Sequence, residues 1–315
     1  MTVEASVLAD PAPAPPYSAA EPAPIERRSG LDLAQFQREY LAARVPVILT
    51  DAAAAWPLYT KATPDFFRRE FGAREVEVKG TRWRLDALLD ELERSTPERP
   101  GPYPCKFDIA RTFPELLPQV APRPAYSLPD RQAHPLLPRR LFTYVNNLEI
   151  FFGGPGGEFP YLHYDLLRLH AWITQLHGDK EFTVYAPDQE PYLYVNPDLP
   201  WQSSIRDHHH PDFEKYPLFR HARARKVVVR AGETLFLPCG WWHTARSLNT
   251  TISVAFDQLG PGNWSDFVGD IVAEKRREGR GARALLVGAY LRAIDPLLRI
   301  VEAFGGNRAR RWGGR

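Results

Sequence analysis

The sequence predicts a mainly β fold with flanking helices, on three observations. Between 142 and 257 seven short segments rich in β-branched and aromatic residues (142–152, 161–165, 169–176, 181–186, 226–230, 234–237 and 251–257) are separated by Gly, Pro and Asp turns. Such spacing suggests an antiparallel sandwich or barrel. Upstream, residues 31–92 mix helical and alternating patterns, and downstream the apolar period becomes helical from Trp264 onward.

Composition narrows the function classes. The chain has 315 residues, 44% hydrophobic and 25% charged, which is ordinary for a globular protein with ample core. A net charge of +2 gives no strong nucleic-acid signal and no reason to expect an anionic membrane partner. No apolar stretch approaches the ~20 residues that span a bilayer, and the start lacks the basic region and apolar run of a signal peptide. Two cysteines, Cys105 and Cys239, cannot make a disulfide framework. The expectation is a soluble, cytoplasmic protein.

Taken in order, residues 1–29 are Ala/Pro-rich and too poor in large apolar groups to offset chain entropy, so they read as disordered. Leu33, Phe36, Tyr40 and Leu41 recur at helical spacing, and 46–50 reads as a buried strand. A helix follows over 64–71, stopped by Gly72; then come an edge strand at 75–79 and a short helix at 85–92. The prolines concentrated between 97 and 138 predict loops, with a strand at 103–109 that turns Tyr103, Cys105 and Phe107 to one side. After the seven β segments, Trp264, Phe267, Val268, Ile271 and Val272 make one helical stripe, and Leu286, Tyr290, Ile294, Leu297 and Val301 another. These C-terminal helices could cover their own core or pair with a second copy about a two-fold axis, giving a homodimer. A basic tail at 305–315 reads as loose.

The chemistry concentrates in His163, Asp165, Lys180 and His243. On a strand, a His-x-Asp pair puts both side chains on one face, about 7 Å apart along the chain. With one more imidazole, from His243, the set is the two-His, one-carboxylate arrangement of non-haem Fe(II) oxygenases. A lone His-x-Asp also occurs by chance, and His208, His209 and His210 compete as ligands. Neighbours in that run should diverge, so a solvated turn or a substrate-facing loop is the simpler reading. Lys180 opens a strand after a Gly-Asp turn. It is either an exposed turn lysine or a buried ammonium that needs an anion. Trp241, Trp242 and Cys239 read as core, and Gly153–Gly157 as a turn, since it lacks the lysine and helix of a phosphate loop.

The segments EIFFGGPGGEFPYLHYD, QLHGDKEFTVYAPDQ, HPDFEKYPLF, VVVRAGETLFLPCGWWHTARSL and ISVAFD, with REYLAARVPVILTDAAAAWP and FFRREFG upstream, resemble the cupin-like branch of the JmjC oxygenases. Within it they are similar to the asparaginyl hydroxylase type that acts on hypoxia-inducible factor. The likeness spans roughly 31 to 264. It implies a double-stranded β-helix (cupin, or jelly-roll) core with an N-terminal helix-strand elaboration over 30–262, followed by a helical pair over 263–304. It implies Fe(II) on His163, Asp165 and His243, 2-oxoglutarate on Lys180, O₂ as the oxidant, and Tyr103 as a second co-substrate contact. Asp165 stands where halogenating relatives lose the carboxylate, which favours hydroxylation.

Two departures matter. Pro160 stands where the family commonly has Thr three residues before the first ligand, so a hydroxyl for the distal carboxylate is missing and Thr174 or Tyr103 could supply one; Ala255 stands where some relatives have Asn. The implied activity is C–H hydroxylation, on an amino-acid side chain of a protein or peptide. N-methyl demethylation and hydroxylation of a small molecule or nucleoside share the mechanism. A non-catalytic cupin-type binding module would be expected to lose a ligand, and metal cupins without 2-oxoglutarate have no dicarboxylate for Lys180 to meet.

Overall fold

The computed structural model describes residues 23–132, 134–137, 148–305 and 312. The N-terminal part holds β1 (Glu26–Arg28), α1 (Leu33–Phe36) running on as a π-helical turn over Gln37–Leu41, β2 (Val47–Leu49) and α2 (Pro64–Phe71). It continues through β3 (Glu75–Val78), β4 (Thr81–Arg84), α3 (Leu85–Arg94), β5 (Cys105–Asp108) and the single turn α4 (Ile109–Thr112). Then come β6 (Leu148–Gly153), β7 (His170–His177), β8 (Lys180–Tyr185), β9 (Arg225–Val229), β10 (Thr234–Leu237), β11 (Trp242–Ser247) and β12 (Thr251–Gln258). Two helices close the chain, α5 (Trp264–Arg277) and α6 (Gly281–Ala303). Local chemistry sets several starts: Asp32 accepts from the Gln35 amide and Thr63 from the Phe66 amide, so both act as N-caps, and Pro64 sits at the first helical position.

Seven strands form one large mixed sheet in the order β1-β2-β10-β7-β12-β6-β5, and β11-β8-β9 form a second. Alternation along β7 explains how they stack. Ala171 and Ile173 pack with Phe182, Val184, Val229 and Ala245 of the smaller sheet. Trp172 and Leu176 turn outward onto Phe36, Phe67, Leu88 and Phe236, the core beneath the N-terminal helices. One strand thus serves two cores by its period of two. Among the described residues no helix is long and apolar enough to cross a membrane.

Several expectations need correcting. The purely antiparallel sheet is broken by β1, which pairs in parallel with β2, the crossover being the α1 segment. β1 also lies inside the stretch expected to be disordered. Residues 1–22 are outside the described region, but Glu26–Arg28 lend backbone to an open sheet edge, and Arg27 reaches Glu233 at 2.8 Å. Of the strand expected over 142–152, 142–147 lie outside the described residues. The segment 161–165 is not a strand: His163 makes only isolated bridges, to His243 and Gln202. Tyr103 precedes β5, so it does not share the face of Cys105 and Phe107; those two enter the N-terminal core while Tyr103 turns to the inter-sheet cavity. Of the tail expected to be loose, 306–311 and 313–315 lie outside the described residues; Trp312 is half-buried and donates to the Val120 carbonyl at 2.8 Å.

α6 uses a different face from the one its large residues suggest. Ala284, Gly288, Leu291, Ile294 and Leu298 are buried, while Leu286 is 73% and Leu297 53% exposed. Close approach decides this: a Cβ on Gly288 would lie 2.8 Å from Val272 of α5. The helix pair is fixed to the proline-rich middle by Arg131, which is fully buried and donates to Glu302 at 2.7 and 2.8 Å and to Asp295 at 2.8 Å. Its guanidinium also lies over the Trp264 ring. Such a fork-to-carboxylate pair, satisfied on all sides, is how a buried charge becomes tolerable.

Candidate active site

At one end of the inter-sheet core lies a cavity of about 290 Å³. His243 projects from β11 and His163 from the irregular segment beside it. The two residues exchange both backbone hydrogen bonds, at 3.0 and 2.6 Å, so they sit directly opposite each other. Their ring centroids are 4.5 Å apart. Asp165, two residues beyond His163, brings its Oδ2 to 3.9 Å from His243 Nε2. The ligand atoms of the three residues all lie within 4.8 Å of one another.

The imidazoles are held in one tautomer by the same local device. His163 Nδ1 lies 3.3 Å from the Tyr161 carbonyl, and His243 Nδ1 lies 3.2 Å from that of Trp241. A carbonyl only accepts, so Nδ1 carries the proton and each Nε2 keeps its lone pair for the cavity. Phe159 stacks on the His163 ring at 4.6 Å and 20°. Burial, with His243 alongside, holds His163 well below the usual imidazole range, while burial raises the Asp165 carboxyl. Two imidazole nitrogens and a carboxylate are a donor set that could hold a divalent first-row metal and leave positions open.

Lys180, at the start of β8, is 2% exposed and lines the same cavity. Its ammonium donates to Ser253 Oγ at 2.9 Å and lies 5.7 Å from the ring centroids of both Tyr103 and Phe151. No carboxylate among the described residues forms an ion pair with it, its side-chain hydrogen bond going to Ser253, and burial lowers its pKa to about 7. A desolvated amine between two aromatic faces, with a hydroxyl beside it, is a place for an anionic group.

Thr174 is not brought to this cavity. It lies on the outward face of β7, and its hydroxyl pairs with that of Thr234 at 2.9 Å. A one-residue difference in phase on a strand reverses the face, and nothing in the segment 169–176 by itself fixes that phase. The group that meets Lys180 is instead Ser253, from the ISVAFD segment, whose alternate residues Ser253, Ala255 and Asp257 all line the cavity. That alternation is the signal from which Ser253 can be found. Phe159, Trp201, Lys106 and Glu149 also line the cavity, the last two ion-paired at 3.1 Å. The rim aromatics Tyr161 and Trp201 meet edge to face at 5.9 Å. His208 and His209 lie elsewhere, against Glu158, and burial, with His209 beside it, lowers the His208 imidazole to about 4. His170 accepts from the Cys239 amide, and Cys105 and Cys239 are both buried and free.

A profile of the cupin-like domain matches residues 65–256. The chain is 26% identical over 250 residues to lysine-specific demethylase JMJ30 of Arabidopsis thaliana, covering 74% of this chain and 54% of that protein. It is 26% identical over 238 residues to tRNA wybutosine-synthesizing protein 5 of Gallus gallus, covering 69% and 71%. It is 29% identical over 140 residues to 2-oxoglutarate and iron-dependent oxygenase JMJD4 of Gallus gallus, covering 42% and 32%. The chain spans about half the length of the demethylase it matches. It belongs to the cupin-like domain family.

Proposed function

We propose that this cupin-like protein is an Fe(II)- and 2-oxoglutarate-dependent oxygenase that hydroxylates a C–H bond on an amino-acid side chain of a protein or peptide. His163, Asp165 and His243 would hold the iron, and Lys180 the distal carboxylate of 2-oxoglutarate. The observation that carries the reading is the buried ammonium of Lys180, without an ion-pair partner among the described residues, in the same cavity as the two-His, one-Asp set. The mixed seven-stranded sheet and the smaller sheet facing it fit the two walls of a double-stranded β-helix.

Bound together, ferrous iron, 2-oxoglutarate and O₂ supply an oxidant for an unactivated C–H bond, with succinate and CO₂ as co-products. The chain's own residues do the rest. The Tyr161 and Trp241 carbonyls fix the imidazole rings, and Phe159 buttresses one of them. Ser253 steadies the ammonium, and the faces of Tyr103 and Phe151 keep water from it. Tyr161 and Trp201 form an aromatic edge against which a side chain can lie. Demethylation at an N-methyl carbon uses the same site, and the demethylase among the relatives favours testing it.

Succinate formation from 2-oxoglutarate, with added Fe(II), should rise with peptide substrates above its uncoupled level. N-methylated peptides, small metabolites and nucleosides complete the panel. Stimulation by nucleosides alone would overturn the substrate class, and no iron-dependent succinate under any condition would overturn the activity. The two free thiols suit a reducing, cytoplasmic setting. The exposed ridge of Leu286, Leu297 and Ile300 on α6 suits a second copy of this chain. Leu297→Glu should then shift gel-filtration elution from dimer to monomer, and elution of the unaltered protein as a monomer would exclude the pairing.

A further inference from the structure

We propose that Glu158, His208 and His209 form a second metal site, separate from the cavity and suited to a borderline divalent ion such as Zn²⁺. The sequence argues against it, since neighbouring histidines should diverge. The loop reverses that expectation. Asp207 Oδ1 accepts from the amides of His209 and His210, at 3.0 and 2.9 Å, and this turn brings the His208 and His209 rings to 4.0 Å between centroids. Glu158 meets them from across the chain, its backbone bridged to Arg246. His209 Nε2 lies 2.9 and 3.1 Å from its two oxygens, and His208 Nε2 lies 3.2 Å from the nearer one. All three ligand atoms fall within 4.8 Å of one another.

The second observation is His208 itself. Its side chain is only 7% exposed, and Nε2 is shielded from solvent yet makes no aligned hydrogen bond, despite the short distance to Glu158. A buried polar atom without a partner is uncommon, and coordination to an ion is one way such an atom is satisfied. Here Nε2 lies 3.2 Å from a carboxylate that already faces a second imidazole. His210 takes no part, its side chain being 88% exposed. Two imidazole nitrogens and one carboxylate oxygen match zinc-type ions rather than Mg²⁺ or Ca²⁺. An ion there takes the place of the proton that His209 shares with Glu158. The site opens into a depression of about 640 Å³ also lined by Arg206 and Lys226, so its remaining positions suit water or an anion. Glu158 adjoins Phe159, which stacks on His163, so the ion would tie the 206–210 loop to the wall of the cavity.

Equilibrium dialysis of the full chain at low micromolar Zn²⁺ separates the two sites. The unaltered protein should bind two equivalents, and the His208→Gln/His209→Gln variant one. A His163→Ala/Asp165→Ala variant should retain one equivalent, lost when all four changes are combined. If the cavity set binds no metal, the unaltered protein and the His163→Ala/Asp165→Ala variant each bind one, and the proposal still stands. Equal binding by the unaltered protein and the His208→Gln/His209→Gln variant overturns it, as does no binding by His163→Ala/Asp165→Ala. Should the double glutamine variant not fold, judged by circular dichroism, Glu158→Gln takes its place with the same expected loss.

Discussion

Replacing Lys180 by methionine is expected to raise the KM for 2-oxoglutarate by roughly 10²–10⁴-fold, the effect of removing one partner of a buried charge pair, ~3–5 kcal/mol. Methionine keeps the length of the stem, so the cavity wall survives and only the charge is lost. The same substitution should act in the opposite direction on the ligand-free protein. Burial lowers the Lys180 pKa to about 7 from 10.5 in the unfolded chain. Between those values the unfolded state binds more protons, so stability rises with pH there, and the cost of the buried ammonium is fully present below pH 7. Lys180→Met should therefore stabilise the ligand-free protein at pH 6 by up to about 5 kcal/mol, and that gain should fade as pH climbs from about 7 toward 10.5. Affinity for 2-oxoglutarate in the unaltered protein should weaken about tenfold per pH unit above 7, as the ammonium loses its proton. Urea denaturation across pH and calorimetric titration with 2-oxoglutarate check both halves. A variant less stable than its parent at pH 6, with unchanged 2-oxoglutarate affinity, would sink the anion-site reading.

Replacing His163 or Asp165 by alanine is expected to remove iron and turnover together. Losing a group that merely orients a ligand costs ten- to a hundredfold in metal affinity, and losing the ligand itself should cost more. Iron content after anaerobic loading should fall by about one equivalent, with succinate formation at the level of buffer. The backbone bonds between His163 and His243 do not involve the removed side chain, so the fold should persist. A variant that keeps its iron and its rate would show that the ion sits elsewhere.

The His-x-Asp pair is legible in the sequence because its two members need only be close in the chain to share a site. That closeness survives although 161–165 is not a strand. Lys180 is legible as a strand opening but not as buried, because burial depends on which strand lies beside β8. His243 is expected on a later strand or strand-end, and β11 carries it, but WWHTARS has no clean alternation from which to bound that strand. Thr174 misleads for want of phase, while Ser253 is reachable once 251–257 is taken as a strand and its odd residues are followed. The face of α6 is misjudged when size is weighed, because small residues, Ala284 and Gly288, permit the closest contact. β1 escapes notice because a strand of three polar residues at an edge owes its form to the neighbour that pairs with it.

The reciprocal backbone bonds joining His163 to His243 have a further consequence, for reversibility. The peptide groups on either side of the cavity are already stitched together, and each ring is pinned by its own chain two residues back. None of these bonds uses a ligand nitrogen that faces the cavity. If these residues hold the proposed iron, chelation should remove it without unfolding the protein, and added Fe(II) should restore turnover.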